Sequence, residues 1–282
     1  MNKVFGIIGG DKRNVYLAKS IINDGFPVYI SGLDLMSETN NLPEISVPDL
    51  IELCDNIILP LPASKDGETI YCPYSSTPIK IDSDFVISLS GKNVFGGLIN
   101  KLIKNNDLWS MVNYSDYYLR EEFAVNNALP TAEGAIAIAI NEYDGNLVNS
   151  KCLVTGYGRI GKILSKMLCS IGAKVTVAAR KQSDLAYIRG LGAEAKKYDD
   201  INESYDIIFN TVPETVIKGN LLNKQTKDSL IIELASLPGG IDRKQALEKG
   251  IKIIDAQSLP GKVSPKAAGE YIKEAVYNML EE

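Results

Sequence analysis

Residues 151–180, KCLVTGYGRIGKILSKMLCSIGAKVTVAAR, constrain this chain more than any other stretch. The short apolar run 152–155 reads as a buried parallel strand. It stops at Gly156, and Gly156, Gly158 and Gly161 have the spacing GxGxxG ahead of a helical pattern with Ile160, Ile163, Leu164, Met167 and Leu168 on one face. The glycines have separate tasks: a tight turn, room for backbone to touch a pyrophosphate, and close packing of helix on strand. The helix N-terminus then offers free N–H groups and the positive end of its dipole to the phosphates. A second strand, 174–179, ends in Arg180. The context is that of a dinucleotide-binding unit; the competing reading is a glycine-rich turn that holds no cofactor.

The residue after the second strand meets the adenosine ribose. An acidic residue there would accept from the ribose hydroxyls and favour NAD, whereas Arg180 offers donors to a 2′-phosphate and favours NADP. Lys181 and Ser183 could join it. The choice of NADP, with NAD still open, rests on that one residue, and a plain solvated arginine competes with it.

At 282 residues the chain has room for two compact domains, and 45% hydrophobic with 23% charged residues suits a globular enzyme. No apolar run reads as long enough for a membrane span, and residues 1–10 lead into a strand without a basic, cleavable leader. The expectation is a cytoplasmic protein with no membrane. Cys54, Cys72, Cys152 and Cys169 lack the paired spacing of a metal site, so reduced thiols and no metal are expected. Charge is uneven: residues 1–140 carry 10 Lys and Arg against 17 Asp and Glu, and residues 141–282 carry 20 against 18. Neither half has the basic, aromatic-laced surface that binds nucleic acid. The chain contains no histidine, which excludes a His–carboxylate relay, His-ligated metal catalysis and a Ser–His–Asp triad. Any acid or base must be Lys, Tyr, Asp, Glu, Cys or water.

Ahead of the glycine unit the alternation of strand and helix occurs once more. Residues 4–8 read as a strand ending in Gly9, Gly10 and Asp11, 14–23 as helix, 26–30 as strand, 48–54 as a short helix and 56–59 as a strand broken by Pro60 and Pro62. Residues 84–89 read as a strand, 93–106 as helix, 109–113 as strand, 120–127 as one helix and 131–143 as another with Thr131 as N-cap. Beyond Arg180 the pattern gives strands 193–197, 205–210, 230–234 and 252–255. The fold class is α/β: two doubly wound Rossmann-like domains separated by a cleft, with the amphipathic helix 264–280 packing back on the first. The expected domains are residues 1–140 with 263–282, on the substrate side, and 141–262, the NAD(P)-binding domain.

Ligands lie over the carboxyl ends of strands in such sheets. In the second domain that edge comprises residues 156–161, Thr211, Val212, Pro213, Ala235, Ser236, Pro238 and Gly239. In the first, strand ends supply Asp11, Lys12, Arg13, Pro62, Ser64, Lys65, Ser90, Gly91 and Lys92, with Arg120, Thr131 and Glu133 near the linker. In an acidic half the few cations point to an anionic substrate held by charge-assisted bonds. Duller readings compete: Lys12, Arg13 and Lys65 as solvated surface, and Glu133 as a carboxylate favouring a helix start.

The segments IIGGDKR (7–13), LPLPASKDG (59–67), LREEFAVNNALPTAEGAIAIAI (119–140), TGYGRIGKIL (155–164), FNTVP (209–213), ELASLPGG (233–240) and LPGKVSPKAAGEYI (259–272) run in order over nearly the whole chain. Together they resemble the A subunit of dipicolinate synthase from spore-forming bacteria. PTAEGAI, LASxPGG and LPGKVSPKAAG are specific; the glycine motif is shared with many dehydrogenases. The resemblance implies oxidation of dihydrodipicolinate to pyridine-2,6-dicarboxylate in the sporulating mother cell, beside a B subunit resembling flavoprotein decarboxylases. Carried over by motif, it implies that Gly156, Tyr157, Gly158, Arg159, Ile160, Gly161, Arg180, Thr211, Pro213, Ala235 and Ser236 line the nucleotide, and that Ser64, Ser90, Arg120, Thr131 and Glu133 lie near substrate. Lys92 is a further candidate to grip a carboxylate.

Removing a hydride and a proton from that substrate creates an aromatic ring, so a chain without histidine can manage with a carboxylate, a lysine or water as base. Arg120 and a lysine would then hold carboxylates while Glu133 or solvent takes the proton. Two other readings stay open at this point: an NADP-linked oxidoreductase of another small acid, and a nucleotide-binding scaffold whose partner does the chemistry. The sequence leaves a homo-oligomer equally open.

Overall fold

The fold, given by a computed structural model, is described for residues 3–282. Met1 and Asn2, and with them that part of the leader reading, lie outside the described residues. The chain divides into two compact units, residues 1–126 with 264–282 and residues 127–263. Residues 127–140, assigned from sequence to the first domain, therefore pack with the second.

The first unit begins with β1 (Phe5–Ile8), α1 (Lys12–Asn23), β2 (Val28–Ser31), α2 (Val47–Leu53) and β3 (Asn56–Ile58). It continues with α3 (Ser83–Ser88), β4 (Asn93–Gly96), α4 (Asn100–Asn105) and β5 (Asn113–Asp116). The five strands form one parallel sheet in the order β2-β1-β3-β4-β5, a doubly wound order that reverses direction between β1 and β3. Asp11 caps α1 in a capping box with Asn14, which fixes where the chain leaves β1.

Between residues 84 and 113 the sequence reading is corrected. The expected strand at 84–89 is helix α3, because Asp82 caps it and Phe85, Val86 and Leu89 are buried at helical rather than alternating spacing. The strand lies further on, at β4, where a helix was expected, and β5 begins where the next strand was expected to end. Apolar runs this short do not distinguish the two periods.

Helix α5 (Glu121–Glu142) is continuous where two helices were expected. Pro130 sits inside it, and a proline in a helix interior costs about 3 kcal/mol. Ala128, Ala132, Ala135 and Ala139 form one buried stripe straight through the proline, and burial of that stripe outweighs the lost bond. Thr131 is therefore no N-cap; its Oγ1 donates to the Asn127 carbonyl one turn back, at 2.8 Å. By length and composition alone α5 could cross a membrane, a test that the core helix of a globular protein also passes. Ala132, Ala135 and Ala139 instead join the core of the second unit.

That unit contains β6 (Lys151–Thr155), α6 (Arg159–Ile171), β7 (Lys174–Ala178), α7 (Gln182–Gly190), β8 (Glu194–Lys196) and β9 (Ile207–Asn210). After them come α8 (Asn220–Lys224), β10 (Leu230–Glu233), α9 (Arg243–Glu248), β11 (Lys252–Asp255) and α10 (Leu259–Val263). Six parallel strands run β11-β10-β9-β6-β7-β8, the dinucleotide-binding order, with the reversal between β6 and β9. Both faces are covered. Cys152 and Val154 of β6 pack with α6 and α5, and Leu153 packs on the other face with Ile217 and Leu222.

The last helix, α11 (Pro265–Glu281), returns to the first unit, as expected from its amphipathic pattern. Ile272, Ala275 and Val276 join Val15, Leu17 and Ile21 in one core cluster.

Candidate dinucleotide-binding site

The three glycines of the 156–161 turn differ in what surrounds them. Gly156 has φ +94°, a conformation L side chains rarely adopt, and a Cβ there would stand 2.6 Å from Thr211 Oγ1. A Cβ on Gly161 would stand 2.2 Å from the Gly156 carbonyl oxygen, so only glycine lets α6 come down on the end of β6. A Cβ on Gly158 would meet nothing within 4 Å, and no side chain caps the helix it opens. One glycine makes the turn, one the packing, and the third leaves an open face of backbone toward which α6 directs its positive end. These surroundings fit a pyrophosphate.

Around that turn the structure gathers most of the residues expected from sequence. Thr211 follows β9, next to β6, and ties the two strand ends by donating from Oγ1 to the Thr155 carbonyl at 2.7 Å. Val212 is half-buried and Pro213 exposed on the same loop. Ala235 and Ser236 follow β10, the next strand along. Tyr157 is half-buried, with the Lys162 ammonium 5.6 Å from its ring centre, and Ile160 packs on the core. Arg159 is exposed at the head of α6, and Arg180, exposed just past β7, is ion-paired with Glu214.

Glu233, missed as a site residue from sequence, holds this edge together. It is the last residue of β10 and is 0% exposed. One carboxylate oxygen accepts from Asn210 Nδ2 at 2.6 Å and Ala235 N at 3.0 Å, and the other from Gly240 N at 2.9 Å. Asn210, also fully buried, accepts from Thr155 Oγ1 at 2.5 Å and from Val212 N at 3.2 Å. A single buried network therefore fixes the carboxyl ends of β6, β9 and β10 and the loops that follow β9 and β10. The sequence did carry one signal: an acidic residue inside the apolar run LIIELA.

The residues expected near substrate are divided between the two units. Ser64, beyond β3, is buried; its hydroxyl donates to Asp66 at 2.9 Å and accepts from Gly67 N at 2.8 Å. Close by in the fold, Arg13 is only 8% exposed, bonded to the Asp11 carboxylate and to the Leu61 carbonyl. This buried arginine corrects its reading as solvated surface. Desolvation opposes its charge, but the bond and attraction to Asp11 prevail and hold its pKa above the usual value.

Ser90 and Lys92 are corrected as site residues. Both precede β4, so they lie at the amino edge of the sheet, and the Lys92 ammonium donates to the Glu52 carbonyl. Arg120 already holds two carboxylates. It donates to Glu122 at 2.7 Å and, two-pronged, to Glu282 at 2.7 and 2.6 Å. Thr131 and Glu133 belong to the part of α5 in the second unit, Thr131 buried and Glu133 exposed.

A groove of about 1280 Å³ in the first unit runs between Gly32, α2 and α3. Its charged lining is Asp34, Glu44, Glu52, Asp82 and Asp84 against Lys80 and Lys92. That balance repels a dicarboxylate, so the groove is no candidate for the substrate site.

Comparison with known proteins supports the turn. Residues 132–235 match the NAD-binding domain of D-isomer specific 2-hydroxyacid dehydrogenases. Together with the strand order and the glycine turn, this defines an NAD(P)-dependent oxidoreductase with a nicotinamide cofactor. Residues 4–118 match the N-terminal domain of the dipicolinate synthase A subunit. Over 98% of its length the chain is 30% identical to the dipicolinate synthase A subunit of Bacillus subtilis (strain 168), covering 95% of that protein. The chain belongs to the family of dipicolinate synthase A subunits. The crystal structure of the Bacillus subtilis protein superposes with a TM-score of 0.88 at 28% identity, covering 100% of this chain and 96% of that one. The corresponding protein of Bacillus halodurans gives 0.88 at 26%, covering 100% and 99%. A transhydrogenase from Sinorhizobium meliloti shares the fold, with a TM-score of 0.69 at 15% identity over 98% and 93% of the two chains.

Proposed function

We propose that this chain is the dehydrogenase subunit that oxidises dihydrodipicolinate to pyridine-2,6-dicarboxylate, with NADP as preferred cofactor. The reading is carried by the glycine turn, open at Gly158, in a chain similar over 98% of its length to a dipicolinate synthase A subunit. Gly156, Tyr157, Gly158, Arg159, Ile160, Gly161, Arg180, Thr211, Val212, Pro213, Ala235 and Ser236 would hold the nucleotide, which supplies a hydride acceptor when bound.

Ser64, Arg120, Thr131 and Glu133 are assigned to substrate. Arg120 is the carboxylate grip, since its fork already holds Glu282 in the two-pronged manner a substrate carboxylate would require in exchange. Glu133, exposed on α5, or solvent takes the proton. Formation of an aromatic ring supplies the driving force, so a finely tuned base is unnecessary. The setting is the cytoplasm of the sporulating mother cell, and the partner is a flavoprotein-like B subunit.

The test is product formation from freshly generated substrate with NAD or NADP, with and without the partner, following reduced nicotinamide and the ultraviolet band of the pyridine product. Turnover by the isolated chain rejects a scaffold role. No product under any combination removes the assignment.

A further inference from the structure

The ion pair between Arg180 and Glu214 crosses the glycine turn. Arg180 stands two residues past the end of β7, and Glu214 four residues past the end of β9. In the sheet, β6 lies between those strands. Neighbouring strands are about 4.8 Å apart, so β7 and β9 are separated by roughly 10 Å. The two long side chains meet by reaching across the end of β6, where Gly156 begins the phosphate turn. Both are largely exposed, at 61% and 66%, and Arg180 Nη2 donates to Glu214 Oε2.

We propose that this pair is a clasp across the dinucleotide path that opens on binding, and that Glu214 sets the choice between NAD and NADP. The inference rests on the reading that a dinucleotide occupies this edge. While the clasp is closed, Glu214 occupies one of the donors that Arg180 would offer a 2′-phosphate and neutralises its charge. Once it is open, the Glu214 carboxylate repels a 2′-phosphate but accepts a hydrogen bond from a 2′-hydroxyl. Arg180 alone would select NADP; paired with Glu214, it is held to a weaker preference.

Calorimetric titration of the purified full-length chain with NAD and with NADP, separately, tests this. Glu214→Gln should tighten NADP about two- to fivefold, the range of an exposed ion pair, and leave NAD unchanged or weaker. The gain should shrink at high salt. Arg180→Ala should weaken NADP about tenfold or more and NAD by less than about twofold. If Glu214→Gln leaves the ratio of the two affinities unchanged, the inference is overturned while the cofactor reading stands. If the unaltered chain binds neither nucleotide, both are overturned.

Discussion

The backbone of Gly161 lies against Gly156 so closely that a Cβ on Gly161 would stand 2.2 Å from the Gly156 carbonyl oxygen, whereas a Cβ on Gly158, three positions earlier, would meet nothing within 4 Å. The same methyl group should therefore have opposite consequences at the two sites. Gly161→Ala overpacks a closed contact and should destabilise the chain by about 1–3 kcal/mol. Gly158→Ala should melt within about 0.5 kcal/mol of the unaltered chain, yet bind dinucleotide about tenfold or more weakly because the methyl stands where a pyrophosphate approaches. Thermal melts and titrations on both variants check this; equal melting losses would contradict it.

Glu233→Gln tests the buried network. Both carboxylate oxygens accept from N–H donors, so an amide in either orientation sets N–H against N–H. The expected cost is about 2–4 kcal/mol in chemical denaturation. A variant as stable as the parent would show that the network has no mechanical role.

Arg13→Ala should cost about 3 kcal/mol, because the side chain is buried and its loss strands the Asp11 carboxylate. Arg13→Lys should recover little, since a lysine cannot reproduce the two-pronged contact with Asp11 while also reaching the Leu61 carbonyl. Recovery of full stability by lysine would rule out the fork geometry as the cause.

Arg120→Ala separates a grip from a surface ion pair. Its partners are partly exposed, so stability should change little. The KM for the proposed dicarboxylate substrate should rise about tenfold or more. An unchanged KM in steady-state kinetics disposes of the grip.

Burial pushes the Cys152 thiol up to about 11, and the raised value predicts a loss of stability in alkali. A thiol whose folded value exceeds its unfolded one contributes fully below the unfolded value, and that contribution disappears as pH rises through the folded one. The stability margin of the chain over Cys152→Ala should therefore be flat below the ordinary value of 9.0 and decline toward about 11. The slope should not exceed ~1.4 kcal/mol per pH unit. Denaturation profiles of the two proteins that stay parallel across that window would refute it.

The sequence made the glycine turn legible because each glycine answers a local constraint: a positive φ, a close approach or an open face. It also made α11 legible, through a long amphipathic pattern. Short elements were harder. In α3 the apolar residues are too few to separate two periods, and reading it as a strand placed Ser90 and Lys92 at the carboxyl edge of the sheet, whereas they lie at the amino edge. At Pro130 local propensity was overruled by burial of a stripe of alanines, which is a property of the packed unit. Glu233 was missed because its partners Asn210 and Gly240 come together only after three strands align. The burial of Arg13 likewise depends on Leu61, which is distant in sequence.

Helix α11 approaches α1 at Gly269, where a Cβ would stand 2.7 Å from the Arg13 carbonyl oxygen, and it supplies Ile272, Ala275 and Val276 to the first unit. A ribosome releases the whole of residues 127–263 before this helix emerges. The first sheet is thus translated early but completed late, and its α1 face stays bare and apolar throughout synthesis of the second unit. The second unit can therefore mature before the first although it is translated after it, and until α11 arrives the bare face is open to misassembly.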